Sequence, residues 1–443
     1  MSDRRFLALA GCGFVLLALT GLGLVFQRQY NTDATVAVLV AQGAAYVAAL
    51  AVLRRCSPSR RTVAFVLGVA AAMRVPVILA PPYLSTDIYR YVWDGRVMAA
   101  GINPYRYIPA DPHLAALRDR AIYPRINRRT SAHTIYPPAA EAIFFAVTRL
   151  GGGVTAMKAA MVGFEAIAVA LLLRLLALAG QKPTRIAIYA WHPLPVWEFA
   201  GNGHIDAAIV ALVALALWSA RRERSWLAGL TLAGAALVKF YPAAIFPALW
   251  RRRDWRMPAI FAAAAVLAYL PFIAVGWGVF GFLPHYMGQE GFAGGSGFYL
   301  WDVATFLLPL RGVSDAAYLV IAAASGAALA GAIALRRRQA GGDARGAMLL
   351  AAAFTALASP HYPWYFAWLL VFACLVPSAA VVWLTLASLL LYLVPVWPQL
   401  MRSWPWLAVQ SILYVPFFLL AAADLQRWRS RERADHGKRA SSG

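Results

Sequence analysis

Long apolar runs alternate with short basic punctuation along almost the whole chain. The clear runs are about 6–26, 34–53, 62–80, 155–179, 186–200, 205–220, 257–275, 314–335, 379–395 and 405–424. A helix needs about 17–25 apolar residues to cross a bilayer, so these runs predict spanning helices. Shorter runs sit at about 226–238, 241–250, 346–358 and 364–376. Proline or glycine breaks most of them, as in Lys239-Phe240-Tyr241-Pro242 and Ser359-Pro360-His361-Tyr362-Pro363. Irregular backbone at membrane depth survives only where it is buried in protein or lines a wet cavity. The breaks therefore point to the working part of the molecule. The expected fold is all-α: a polytopic integral membrane protein of about 12–14 transmembrane helices. Residues 1–426 form one membrane domain, and the basic tail 427–443 is expected to be disordered.

Composition supports this reading. The chain has 443 residues, of which 61% are hydrophobic and 14% charged, and its mean hydropathy is +0.62. Soluble domains carry about 45–50% apolar and about 25% charged residues. The net charge of +22 comes from 41 Lys and Arg against 19 Asp and Glu. In a soluble chain that excess would suggest nucleic acid. Here 25 of the 41 fall in seven short segments that share one side when the N-terminus is cytoplasmic. That is the positive-inside pattern. It predicts a multi-pass protein of the cell (inner) membrane with both termini cytoplasmic, and it removes the case for a nucleic-acid partner. Arg4-Arg5 precedes the first run, but no small-residue cleavage site follows, so the run reads as a retained anchor. Cys12, Cys56 and Cys374 are isolated, with no metal-ligand spacing.

Eight of the eleven outside Lys and Arg lie in one long loop, 81–135, which also holds four acids. For parity the run 136–150 must lie on the outer surface rather than span. The loop opens Ser85-Thr86-Asp87-Ile88-Tyr89-Arg90-Tyr91-Val92-Trp93-Asp94-Gly95-Arg96. A helix over 87–100 with Thr86 as N-cap would put Arg90 and Asp94 on the Asp87 face, and Tyr89, Trp93 and Arg96 on another. A carboxylate at the membrane boundary has reason to be perturbed, and Asp87 is the candidate general base. The bland alternative is a solvated loop in which Asp87 caps a helix and pairs with Arg90. Three more polar breaks share that side: Gly201-Asn202-Gly203-His204-Ile205-Asp206, the Lys239 segment and the His361 segment. Each has its own bland reading as a cap, a snorkelling lysine or an interfacial histidine. Together they suggest one acid as base, cations holding a phosphate, and an apolar cleft for a lipid tail.

The stretch Asp87-Ile88-Tyr89-Arg90-Tyr91-Val92-Trp93-Asp94-Gly95, the later Gly101-Ile102-Asn103-Pro104-Tyr105 and the entry Tyr136-Pro137-Pro138 resemble the multi-spanning glycosyltransferases of the C-type fold. Within that fold they are similar to the glycosyltransferase 87 (mannosyltransferase-like) proteins, over roughly residues 60–375. The resemblance implies a polyprenyl-phosphate sugar as donor and a lipid or glycan acceptor on the outer face. It implies transfer of a hexose, mannose in that branch, with inversion and Asp87 as base. Lys239, His361, Arg90 and Arg96 would hold the donor phosphate, and Asp94, Tyr89, Asn103, His204 and Tyr362 would contact substrate. No cofactor and no metal are expected, although Asp87 and Asp94 could share a divalent ion. Two departures stand out: the loop follows the third span rather than the first, and no acceptor-binding segment is legible. The competing readings are a transporter or flippase of lipid-linked sugars and a non-catalytic assembly partner. Transporters of this kind carry paired repeats, and none is visible here.

Overall fold

The computed structural model describes residues 2–310, 312–335, 343–393 and 404–441. Among the described residues the chain is helical throughout, with no strand. Among those residues seven helices are long and apolar enough to cross a membrane: Arg4–Arg28, Thr32–Leu53, Arg60–Leu79, Val154–Leu178, Arg256–Gln289, Ala316–Leu335 and Trp406–Ser430. The protein is therefore an all-α, polytopic membrane protein. The 12–14 spans expected from the sequence include shorter pieces such as Ser225–Ala236, Ala344–Ala358, Pro363–Leu375 and Ala379–Tyr392. These fall below spanning length because proline, glycine and polar residues interrupt them.

Helices α1 (Ser2–Arg28), α2 (Thr32–Leu53) and α3 (Arg60–Leu79) run back and forth at the start. Hydrogen bonds then sort the connections into two ends of the bundle. At one end Arg5 donates to the Arg55 carbonyl, Arg185 to the Cys374 carbonyl, and Ser378 to Asp424. Most of the short basic loops gather there. At the other end Thr32 pairs with Tyr83, and the Leu84 amide donates to Asn202. Lys158, near the start of α6 (Val154–Leu178), donates to the carbonyls of Val77 and Ala80 at 2.8 and 2.5 Å. A buried ammonium thus satisfies carbonyls that α3 leaves open at its C-terminus.

The loop helix α4 (Asp87–Ala99) and the short helix α5 (Pro138–Arg149) pack together at this second end. Tyr91 stacks on Phe144 with ring centroids 4.5 Å apart. Gly95 permits the approach, because a Cβ there would strike the Phe144 carbonyl and the Thr148 hydroxyl. Helix α4 matches the expected span, but its cap differs. Thr86 makes no side-chain cap, and the Asp87 amide donates to Ser85 Oγ at 3.2 Å. The final helix runs Trp404–Ser441, so the helical backbone continues into the segment expected to be a disordered tail.

Buried charge is paired inside the bundle. Arg74 of α3 donates to both carboxylate oxygens of Glu165 on α6 at 3.0 and 2.7 Å, and to the Ala190 carbonyl at 3.0 Å. That carbonyl belongs to a broken traverse made of Ala187–Ala190, Pro193–Pro195 and a π-helix Val196–Gly201. The traverse ends at Gly203, whose φ of +72° favours glycine. Its missing side chain also leaves room for Ile88 of α4. The turn therefore delivers Asp206 directly beneath the first turn of α4.

Candidate functional site

Asp87 stands at the first position of α4, half-buried, where the helix N-terminus favours a negative charge. Asn127 Nδ2 donates to its Oδ1 at 2.8 Å. Burial raises the Asp87 pKa, while Lys239, the Asn127 hydrogen bond and Arg128 pull it down; the net direction is up. A carboxylate held this way is a stronger base than a free aspartate.

Beneath it, Lys239 Nζ donates to Asp206 Oδ2 at 2.7 Å and lies 4.5 Å from the centre of the Tyr365 ring. The Tyr241 hydroxyl donates to the other oxygen of Asp206 at 2.8 Å. Both Asp206 and Tyr241 lie close enough to Asp87 or its neighbour Tyr91 to share one electrostatic field. The aromatic wall continues through Tyr362, which stacks on Trp364 at 4.6 Å, and Trp364 stacks on His204 at 4.0 Å. His204 is wholly buried, 3.4 Å from Glu198 Oε2, and neither ring nitrogen makes a hydrogen bond. It stands behind the wall, with Trp364 between it and Tyr362 in the stack.

The remaining expected residues have other partners. Arg90 is buried and donates to both oxygens of Asp94 at 2.8 and 2.9 Å and to the Ala132 carbonyl at 3.1 Å. Asp94 thus faces Arg90 and the α5 side. Glu141 of α5 accepts from Thr134 at 2.6 Å; burial and the Asp94 charge push its carboxyl well up. Arg96 pairs with Asp119 at 2.5 Å. Tyr89 lies under the Arg125 guanidinium at 5.5 Å. Asn103 accepts from the Tyr105 amide and donates to the Phe272 carbonyl, fastening the loop to the helix below. His361 Nδ1 lies 2.8 Å from Glu290 Oε2. Burial works against its charge, but the Glu290 bond and charge outweigh it and raise the His361 pKa.

The structure therefore brings Asp87, Lys239 and Tyr362 together and adds Asp206, Asn127, Arg128, Tyr241 and Tyr365. It leaves Arg90, Asp94, Arg96 and Asn103 in structural contacts. Among the described residues no group of three His, Cys, Asp or Glu converges as metal ligands.

Two hollows flank the cluster. A polar cleft of about 740 Å³ is lined by Arg128, Ser131, His133, Phe282, His285 and Gln289. An apolar groove of about 470 Å³ runs between the helices Ala316–Leu335 and Ala344–Ala358. Its walls include Ala243, Pro247, Phe292, Ala322, Gly326 and Phe354. The segment 281–298 contributes to both hollows.

Residues 8–251 match the model of the MptA_B family, described as alpha-(1->6)-mannopyranosyltransferase, N-terminal domain. That stretch holds Asp87, Asp206 and Lys239. No curated protein and no solved structure matches the chain.

Proposed function

Because the chain belongs to the MptA_B family of alpha-(1->6)-mannopyranosyltransferases, we propose that it transfers mannose from a polyprenyl-phosphate donor to an envelope lipid or glycan acceptor. The observation that carries this reading is the half-buried Asp87 carboxylate, held by Asn127 beside a polar cleft and near an apolar groove. The groove suits a polyprenyl chain, and the aqueous cleft suits the sugar and its acceptor. Asp87 takes the proton of the acceptor hydroxyl as its oxygen attacks the anomeric carbon. The bond from that carbon to the phosphate oxygen breaks, and polyprenyl phosphate leaves with the electron pair. A single displacement inverts the centre, so an α-linked product requires a β-linked donor. No cofactor enters this scheme.

The C-type-fold resemblance belongs to the same reading. So does the orientation: the end rich in short basic loops is cytoplasmic, and the Asp87 end is extracytoplasmic. A lipid-linked donor suits that side, where no nucleotide sugar is supplied. The test is a transfer assay on the purified full chain with mannose-labelled polyprenyl phosphate, compared with nucleotide-linked mannose. Label should reach the acceptor from the lipid-linked donor alone. Direct transfer from the nucleotide sugar would sink the reading.

Asn127 gives a second, pH-dependent expectation. Its N–H favours the charged carboxylate, so Asn127→Ala should raise the Asp87 pKa further. The acidic limb of the kcat/KM profile should then move up by about one pH unit, with activity recovering at higher pH. A limb that stays in place would mean that this hydrogen bond does not set the base.

A further inference from the structure

A leaving phosphate is stabilised most by a cation whose present partners are neutral. Two cations lower the Asp87 carboxyl, Lys239 and Arg128. Lys239 is bound to Asp206 at 2.7 Å inside the bundle, so its charge is already largely compensated by a buried carboxylate. Arg128 is exposed, and its NH2 donates to a neutral amide oxygen, Gln289 Oε1, at 2.8 Å. Its guanidinium also lies 5.3 Å from the Phe282 ring centre and 6.0 Å from that of Tyr286. These contacts can be exchanged for a phosphate without breaking an ion pair.

The backbone explains how neighbouring residues serve two places. Arg128 has φ of +50°, a left-handed conformation uncommon for arginine. The amides of Ser131 and Ala132 hold it there by donating to its carbonyl at 3.1 and 3.0 Å. The turn lets Asn127 reach Asp87 while Arg128 lines the polar cleft. Strain kept at such a loop is a reason to look for a ligand. Gln289, across the cleft, lies three residues before Phe292 in the wall of the apolar groove.

From this arrangement we infer that Arg128, with Gln289 and the cleft histidines His133 and His285, forms a phosphate site for an isoprenoid phosphate whose tail lies in the groove. The inference rests on the polyprenyl-phosphate reading above. In it Arg128 binds the charge that grows on the leaving oxygen, and Lys239 remains the partner of Asp206.

The test measures binding of radiolabelled farnesyl phosphate to the full-length protein in detergent free of phospholipid, with farnesol and inorganic phosphate as competitors. Arg128→Gln should weaken farnesyl phosphate binding about tenfold or more, whereas Arg125→Gln, on the exposed side of the same loop, should not. In transfer assays the same variant should raise the donor KM and lower sensitivity to inhibition by farnesyl phosphate. Equal binding by wild type and Arg128→Gln, with both folded by thermal unfolding, would overturn the inference. Binding of inorganic phosphate but not farnesyl phosphate, lost in Arg128→Gln, would keep the anion site and reject the lipid donor. Binding of neither probe to wild type would reject both.

Discussion

Asp87→Asn is expected to reduce mannosyl transfer by about 10³-fold or more while leaving the protein folded. Loss of a positioned base alone removes about 10²–10⁴-fold. Asn keeps the shape and can still contact Asn127, so substrate binding should change little and the loss should fall on kcat. Stability should hold or rise. The Asp87 pKa is raised on folding. Such a group favours the folded state fully below its unfolded pKa and loses that contribution as pH rises through the folded pKa. Near neutral pH the carboxylate is therefore a burden that Asn lifts. Kinetics alongside thermal unfolding in detergent checks both halves. Retained transfer in Asp87→Asn would leave the base unassigned.

Asp206→Leu is expected to damage the fold as well as the chemistry. It strips the partner from Lys239 and leaves the Tyr241 hydroxyl without its acceptor. Removing one member of a buried ion pair costs about 3–5 kcal/mol, mostly from the charge left behind. Lys239→Met paired with Asp206→Leu should recover most of that stability, because both charges then leave together. Activity should stay low in the double variant, since the field that tunes Asp87 has changed. Thermal unfolding of the three variants gives the coupling directly. A double variant no more stable than Asp206→Leu would mean that the two residues act separately.

The amount legible in the sequence followed the range of each interaction. Hydropathy marked the spans, and proline marked the breaks at Pro242 and Pro363, because both act within a turn or two. The surface position of 136–150 is an expectation from parity, and its helix α5 packs on α4. Pairings between distant segments were not legible. Arg74 and Lys158 stand alone within apolar runs of the sequence, yet one meets Glu165 and the other closes α3. Spacing suggested Arg90 near Asp87, but Asp94 lies one turn further along and captures it, as i, i+4 pairs on a helix can. Asp206 sat inside a quoted motif without a role, since its partner Lys239 is 33 residues away. Arg128 was one of eight basic residues in the loop. Its left-handed turn, which separates it from the others, has no signature in arginine.

The most direct measurement is the anomeric course of a single turnover, followed by NMR with each anomer of polyprenyl-phosphate mannose. The β-linked donor should be consumed and an α-linked product should form, because Asp87 acts as a base in one displacement. Consumption of an α-linked donor to an α-linked product would be retention. That result would contradict the account, since it requires a covalent intermediate or another route in place of a base.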